Sequence, residues 1–80
     1  MSIEDALKLR IEELCEEKGL TINALAALAG MPRTTLKNIM YGTSKNTGIV
    51  TIQLLCDALG ISIIDFFSCD LFKQIDQVKD

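Results

Sequence analysis

The sequence predicts an all-α fold, a bundle of five helices. Three observations carry that prediction. Apolar residues recur at i, i+3, i+4 and i+7 through most of the chain; the 1 proline and 5 glycines are too few for a turn-rich sandwich of strands; and aromatic residues make up 5% within a hydrophobic total of 49%, which suits close aliphatic helix contacts. Eighty residues make one small domain, and so short a chain buries a smaller share of its surface than a long one, so its core has to pack efficiently.

Ser2, Ile3, Glu4 and Asp5 read as a capping box that opens the first helix, the Ser2 hydroxyl accepting from a free backbone N–H while Asp5 reaches back. Ile3, Leu7, Ile11, Leu14 and Cys15 share one face, with Asp5, Glu12, Glu13, Glu16 and Glu17 turned away. Leu9 falls on the polar side, either as an ordinary exposed leucine or as a contact between molecules. Gly19 ends the helix in a left-handed conformation, and Thr21 caps a second helix over residues 22–29. Its Ala24, Ala26, Ala27 and Ala29 let a neighbouring helix approach closely. Gly30 allows a tight turn, Met31 plugs the gap between helices, and Pro32 opens a third helix over residues 32–40 with its fixed φ.

The third helix turns Leu36 and Ile39 inward and carries Arg33, Thr34, Thr35, Lys37 and Asn38 on its polar side. Residues 41–50, YGTSKNTGIV, form a loop. Thr51 is expected to cap a fourth helix striped by Ile52, Leu55, Cys56 and Leu59 and ended by Gly60; Ser62 and Asp65 then open a short fifth helix anchored by Ile64, Phe66 and Phe67. Leu71, Phe72, Ile75 and Val78 make a further helical stripe, so the tail over residues 68–80 has the pattern of an extra C-terminal helix. That stripe can fold back on its own domain, pair with its counterpart in a dimer, or fray.

Composition narrows the chemistry. The absence of histidine removes the usual general base and the commonest metal ligand, and the chain has neither a glycine-rich phosphate loop nor clustered carboxylates, so no active site can be assembled and neither cofactor nor metal is expected. Cys15, Cys56 and Cys69 are odd in number and include no Cys-x-x-Cys pair, which argues against a disulfide framework or a zinc site; Cys15 and Cys56 read as small core hydrophobes, in keeping with a reducing cytoplasm. The opening MSIEDALKLR has the character of neither a signal peptide nor a membrane span.

Net charge is −3 and the isoelectric point near 4.8, unpromising for a nucleic-acid partner. The distribution of charge points the other way. From Lys18 to Cys56 the chain carries Lys18, Arg33, Lys37 and Lys45 and no Asp or Glu, and exposed charges more than about 8 Å apart are largely screened at physiological salt, so the local field counts for more than the total.

Residues 3–67 resemble the helix-turn-helix domain of the Cro and phage-repressor type, also called the xenobiotic-response-element (XRE) family. That family has a small residue in the first helix of the two-helix unit, a turn glycine four positions later, and buried aliphatics six and nine positions beyond it; this chain has Ala26, Gly30, Leu36 and Ile39 in those places. The stretch TIQLLCDALGISIIDFF is similar to the family's fourth and fifth helices. The resemblance implies a lambda-repressor-like fold over residues 1–67, a third helix entering the major groove of double-stranded DNA, and Pro32, Arg33, Thr34 and Asn38 meeting base edges. Arg33 suits guanine, Asn38 suits adenine, and Thr34 suits a hydrogen bond or a thymine methyl. Thr21, Asn23, Thr35, Tyr41 and Lys45 are the expected phosphate contacts. Two departures stand out: Ile22 where many members have glutamine, and an apolar Cys15 and Met40 where several carry a buried ion pair.

The implied function is a sequence-specific transcriptional regulator, a cytoplasmic repressor binding as a homodimer, with no membrane or small-molecule partner. So few cations make a second copy necessary for useful affinity. The alternative is a protein-interaction module that keeps the fold without binding DNA, which the acidic total and Ile22 would suit.

Overall fold

Three glycines punctuate the chain. In the computed structural model, which describes residues 1–42 and 46–78, Gly19, Gly30 and Gly60 have φ of 66°, 68° and 71°. The same pair of hydrogen bonds surrounds each one. Leu20 N–H donates to the Cys15 carbonyl (2.9 Å) and Gly19 N–H to that of Glu16 (3.2 Å); Met31 and Gly30 repeat this to Ala26 (3.0 Å) and Ala27 (3.2 Å), and Ile61 and Gly60 to Cys56 (3.0 Å) and Asp57 (3.2 Å). This is the Schellman closure, which satisfies otherwise orphaned carbonyls and is accompanied by an apolar residue just past the glycine. Leu20, Met31 and Ile61 occupy that place, and all three pack on the core.

These closures separate α1 (Ile3–Lys18), α2 (Ile22–Leu28), α3 (Arg33–Tyr41), α4 (Ile49–Leu59) and α5 (Ile63–Phe67), followed by a 3-10 turn at Asp70–Lys73; no strand occurs among the described residues. Hydroxyl caps open α1, α2 and α5: Ser2, Thr21 and Ser62 accept from the N–H groups of Asp5 (3.2 Å), Ala24 (3.0 Å) and Asp65 (3.0 Å).

Two helix starts differ from the sequence expectation. Pro32 is the N-cap of α3 rather than its first residue, with an extended ψ of 143°. Because Met31 is committed to closing α2, the chain needs one extended residue before it re-enters a helix. Helix α4 begins two residues before Thr51, on Gly48, and Thr51 sits half-buried inside it.

The core joins α1, α2, α3, α4 and α5 through Ile11, Leu25, Leu36, Leu55, Cys56 and Phe66, all essentially inaccessible. Helix α2 packs on α3 and α4, and α4 on α5. Ala26 of α2 is fully buried in this core. Cys15 and Met40 lie in the same apolar cluster, which therefore needs no ion pair; packed apolar groups in such a place are often at least as stabilising. Ile64, expected in the core, is 74% exposed. On a five-residue helix Ile63, Phe66 and Phe67 fill the inner side, and Ile64, about 100° round from Ile63, points outward.

The tail closes against its own molecule. Phe72 stacks edge-on to Phe67 (centroids 4.8 Å) and lies 6.2 Å from Phe66, while Asp76 N–H donates to the Met1 carbonyl at 2.8 Å. The helical stripe from Leu71 to Val78 is realised only as the 3-10 turn, because the Asp76 N–H that would continue a helix bonds to Met1 instead; Val78 is left exposed.

Gly30→Ala is expected to lower stability by about 1 to 2 kcal/mol, the penalty of a left-handed L-residue, since a Cβ there meets no other atom within 4 Å. Urea denaturation should show a lower midpoint with an unchanged slope. A variant as stable as the parent would show that the turn does not need its glycine conformation.

Candidate nucleic-acid interface

The rotation of α3 is set by what it buries. Leu36, Ile39 and Met40 are 0%, 5% and 4% accessible, and at about 100° per residue they place Thr34, Asn38 and Tyr41 diametrically outward. Lys37 and Thr35 occupy the two flanks, and Arg33 stands at the first turn, nearer the Met40 side. Each of these side chains is exposed, as is Pro32 just before the helix. The structure thus gathers Arg33, Thr34, Thr35, Asn38 and Tyr41 on one helix with Pro32 at its mouth. Thr21 and Asn23, also exposed, belong to the start of α2 instead. Lys45 lies outside the described residues.

The start of α3 is bare. Pro32 offers no side-chain cap; its carbonyl accepts from Thr35 (3.1 Å) and Leu36 (3.5 Å), and among the described residues the N–H groups of Arg33 and Thr34 have no acceptor. A helix start of this kind favours negative charge or acceptor atoms nearby. At α2, the Thr21 oxygen accepts from Ala24 at 3.0 Å, which leaves its hydroxyl proton free to donate outward.

Charge points the same way. The ion pairs among the described residues are Met1 with Asp76, Arg10 with Glu13 and Lys73 with Asp70, so neither Arg33 nor Lys37 is neutralised by an acid. Acids instead line the exposed side of α1 at Glu12, Glu13, Glu16 and Glu17.

A family model described as the Cro/C1-type HTH DNA-binding domain matches residues 10–71. The chain belongs to that family. The Cro/C1-type, or XRE, domain is a DNA-binding module of transcription regulators, and two solved structures agree with it in fold. The crystal structure of the prophage Lp1 protein 11 is 34% identical, with a TM-score of 0.81 over 94% of this chain and 100% of that one. A tyrosine-to-phenylalanine mutant of the restriction-modification controller protein C.Esp1396I is 28% identical, with a TM-score of 0.77 over 92% of this chain and 94% of that one. A search of curated proteins returned no match.

Two features of this Cro/C1-type domain escaped the sequence reading. Arg10 donates from Nε to the Phe66 carbonyl (2.7 Å) and from Nη2 to that of Asp65 (2.8 Å), pairs with Glu13, and sits 6.0 Å from the Phe66 ring centroid. It thereby caps the end of α5, and nothing in the local pattern marks a long-range partner 56 residues away. The second is a set of exposed aliphatic side chains: Ile49, Val50 and Leu54 on α4 are 61%, 67% and 42% exposed, and Ile64 on α5 is exposed as well. A signal for it was present, because IVTIQLLCDAL is apolar on more than the one stripe the core requires.

Among the described residues no group of His, Cys, Asp or Glu is placed to hold a metal, and no helix is long and apolar enough to cross a membrane. The Cys15 thiol is held above its ordinary pKa by burial and then by Glu12; burial and then Asp57 raise that of Cys56, against a smaller opposing effect from Arg10. Both groups therefore remain thiols in the folded protein where unfolded thiols have begun to ionise, so they contribute stability below the ordinary thiol pKa that is lost as pH rises through that range. A thiol-reactive dye at neutral pH should label Cys69 first and reach Cys15 and Cys56 only on unfolding; three equally fast thiols would contradict this burial.

Proposed function

We propose that this domain is a sequence-specific repressor that binds operator DNA as a homodimer, with residues 1–67 as the DNA-binding unit and the tail closing against it. The observation that carries the reading is α3, whose outward side exposes Thr34 and Asn38 and whose first turn exposes Arg33, beside a bare helix start with no acid near in sequence. In the major groove, Arg33 supplies two parallel donors to guanine O6 and N7, Asn38 pairs with adenine N6 and N7, and Thr34 meets a thymine methyl or an acceptor. Pro32 contacts the base edge at the mouth of the helix. Thr21, Asn23, Thr35, Tyr41 and Lys45 donate to phosphate and fix the register without reading sequence. Repression requires only that the operator be occupied, which this arrangement provides; one of the two solved relatives is a restriction-modification controller and the other comes from a prophage.

Two copies are needed because one presents few cations to phosphate. The two copies would sit on half-sites roughly 34 Å apart, one helical turn along the duplex. Ile49, Val50, Leu54 and Ile64 supply the contact between protomers: large aliphatic side chains are exposed on both α4 and the α5 packed against it, while Phe72 of the tail is spent inside its own protomer.

In gel shifts across a salt series, affinity should fall steeply with ionic strength. Arg33→Ala and Asn38→Ala should each lose about 5- to 150-fold on the operator and little on random DNA, whereas Tyr41→Phe should weaken both alike. Failure to bind any duplex at low salt would replace this reading with a protein-interaction role. Separately, Leu54→Asp should shift sedimentation from dimer to monomer and reduce operator affinity by about 100-fold or more, with the helical circular dichroism retained. A Leu54→Asp protein that remained dimeric would exclude the α4–α5 surface.

A further inference from the structure

We propose that a half-open cavity between the start of α1, the lead-in to α4 and the tail binds a small primary amine with an aromatic body, of the 2-phenylethylamine class. The inference uses none of the residues placed on DNA and stands whether or not the DNA-binding reading does. The cavity has a volume of about 170 Å³. Leu7, Ile52, Phe67 and Phe72 make its apolar wall, and Glu4, Asn46 and Thr47 bring polar groups to it, with Ile3 beside them.

The space persists because nothing bulky is available to fill it. Phe72 is held edge-on to Phe67 with ring centroids 4.8 Å apart, so the tail aromatic serves as a wall and not as a plug. The chain entering α4 is Asn46, Thr47 and Gly48, which carry no large apolar side chain. The walls come from separate stretches of the chain, so no local pattern marks the site.

Size and lining select the body of the ligand. A cavity of about 150 Å³ lined by leucine, isoleucine and phenylalanine takes up benzene, and this one has the same kinds of apolar side chain and slightly more room. The Phe67 and Phe72 rings, inclined at 62°, offer an aromatic guest both a face and an edge.

Charge selects the head. The Glu4 carboxylate, the Asn46 amide oxygen and the Thr47 hydroxyl can each accept from an ammonium group, which has three N–H donors to place. None of these side chains takes part in a hydrogen bond or ion pair among the described residues, and Lys8, one turn along α1 from Glu4, does not pair with it. The start of α1 contributes roughly half a positive charge, but Glu4 and Asp5 in its first turn outweigh this with a full negative charge each. The field there favours a cation, and the faces of the two phenylalanine rings add to the preference.

Titration of 2-phenylethylamine into the full chain at neutral pH, followed by NMR chemical shifts, tests this, with 2-phenylethanol and 3-phenylpropanoate as neutral and anionic controls of similar shape. Leu7, Ile52, Phe67 and Phe72 should shift together on one saturable curve, and the thermal midpoint should rise with amine concentration. The amine should bind about 5- to 10-fold more tightly than the alcohol, and the acid most weakly, the modest ratio reflecting a Glu4 that is only half-buried. Glu4→Gln keeps the shape and helix preference of the side chain and should remove the advantage of the amine while leaving alcohol binding unchanged, with helical circular dichroism confirming the fold. Equal affinity for the three compounds, a preference for the acid, or an unchanged ratio in Glu4→Gln would overturn the ligand class. Saturable shifts confined to other residues, or none with any of the three, would overturn the cavity as a binding site.

Discussion

The packing of α2 on α3 is the constraint on which the remainder depends. Ala26 and Leu25 of α2 and Leu36 of α3 have no accessible surface and share one core cluster, so neither helix can turn without opening it. The direction in which α3 presents its side chains is therefore a packing result. Rotating α3 to move Thr34 or Asn38 would expose Leu36, Ile39 or Met40, at roughly 1.5 to 3 kcal/mol for each large apolar side chain returned to water. A recognition surface gains its precision from a core that tolerates only one orientation.

The same economy appears at the far side of the molecule. Helix α5 is five residues long, too short to persist alone, and is held by Phe66 in the core and by the Arg10 guanidinium on its terminal carbonyls. Phe72 then covers Phe67. An aromatic cluster and one arginine thus substitute for helix length, leaving Ile64 displayed on an element whose position is nonetheless well determined.

Much of this was legible in the chain because local chemistry dictated it. Ser2, Thr21 and Ser62 act as caps and Gly19, Gly30 and Gly60 as left-handed stops, all from interactions within six residues. Leu36 and Ile39 could be placed inward from spacing alone. The misjudged positions depend on competition between neighbours or, in the tail, on a distant partner. Pro32 became a cap because Met31 was drawn into closing α2; the tail gave up its helix because Asp76 found the Met1 carbonyl; Ile64 turned outward because its neighbours, Ile63, Phe66 and Phe67, had already filled the inner side of α5. The exposed polar residues of α3 were legible as types, whereas their grouping into an outward strip with flanks required the whole buried face, Met40 included, to be known.

The exposed aliphatic side chains of α4 and α5 have a consequence for control. A molecule that pairs through its α4–α5 side would be governed by abundance: while most copies are single, the number of dimers rises with the square of protein concentration, and operator occupancy turns on over a narrow range of expression.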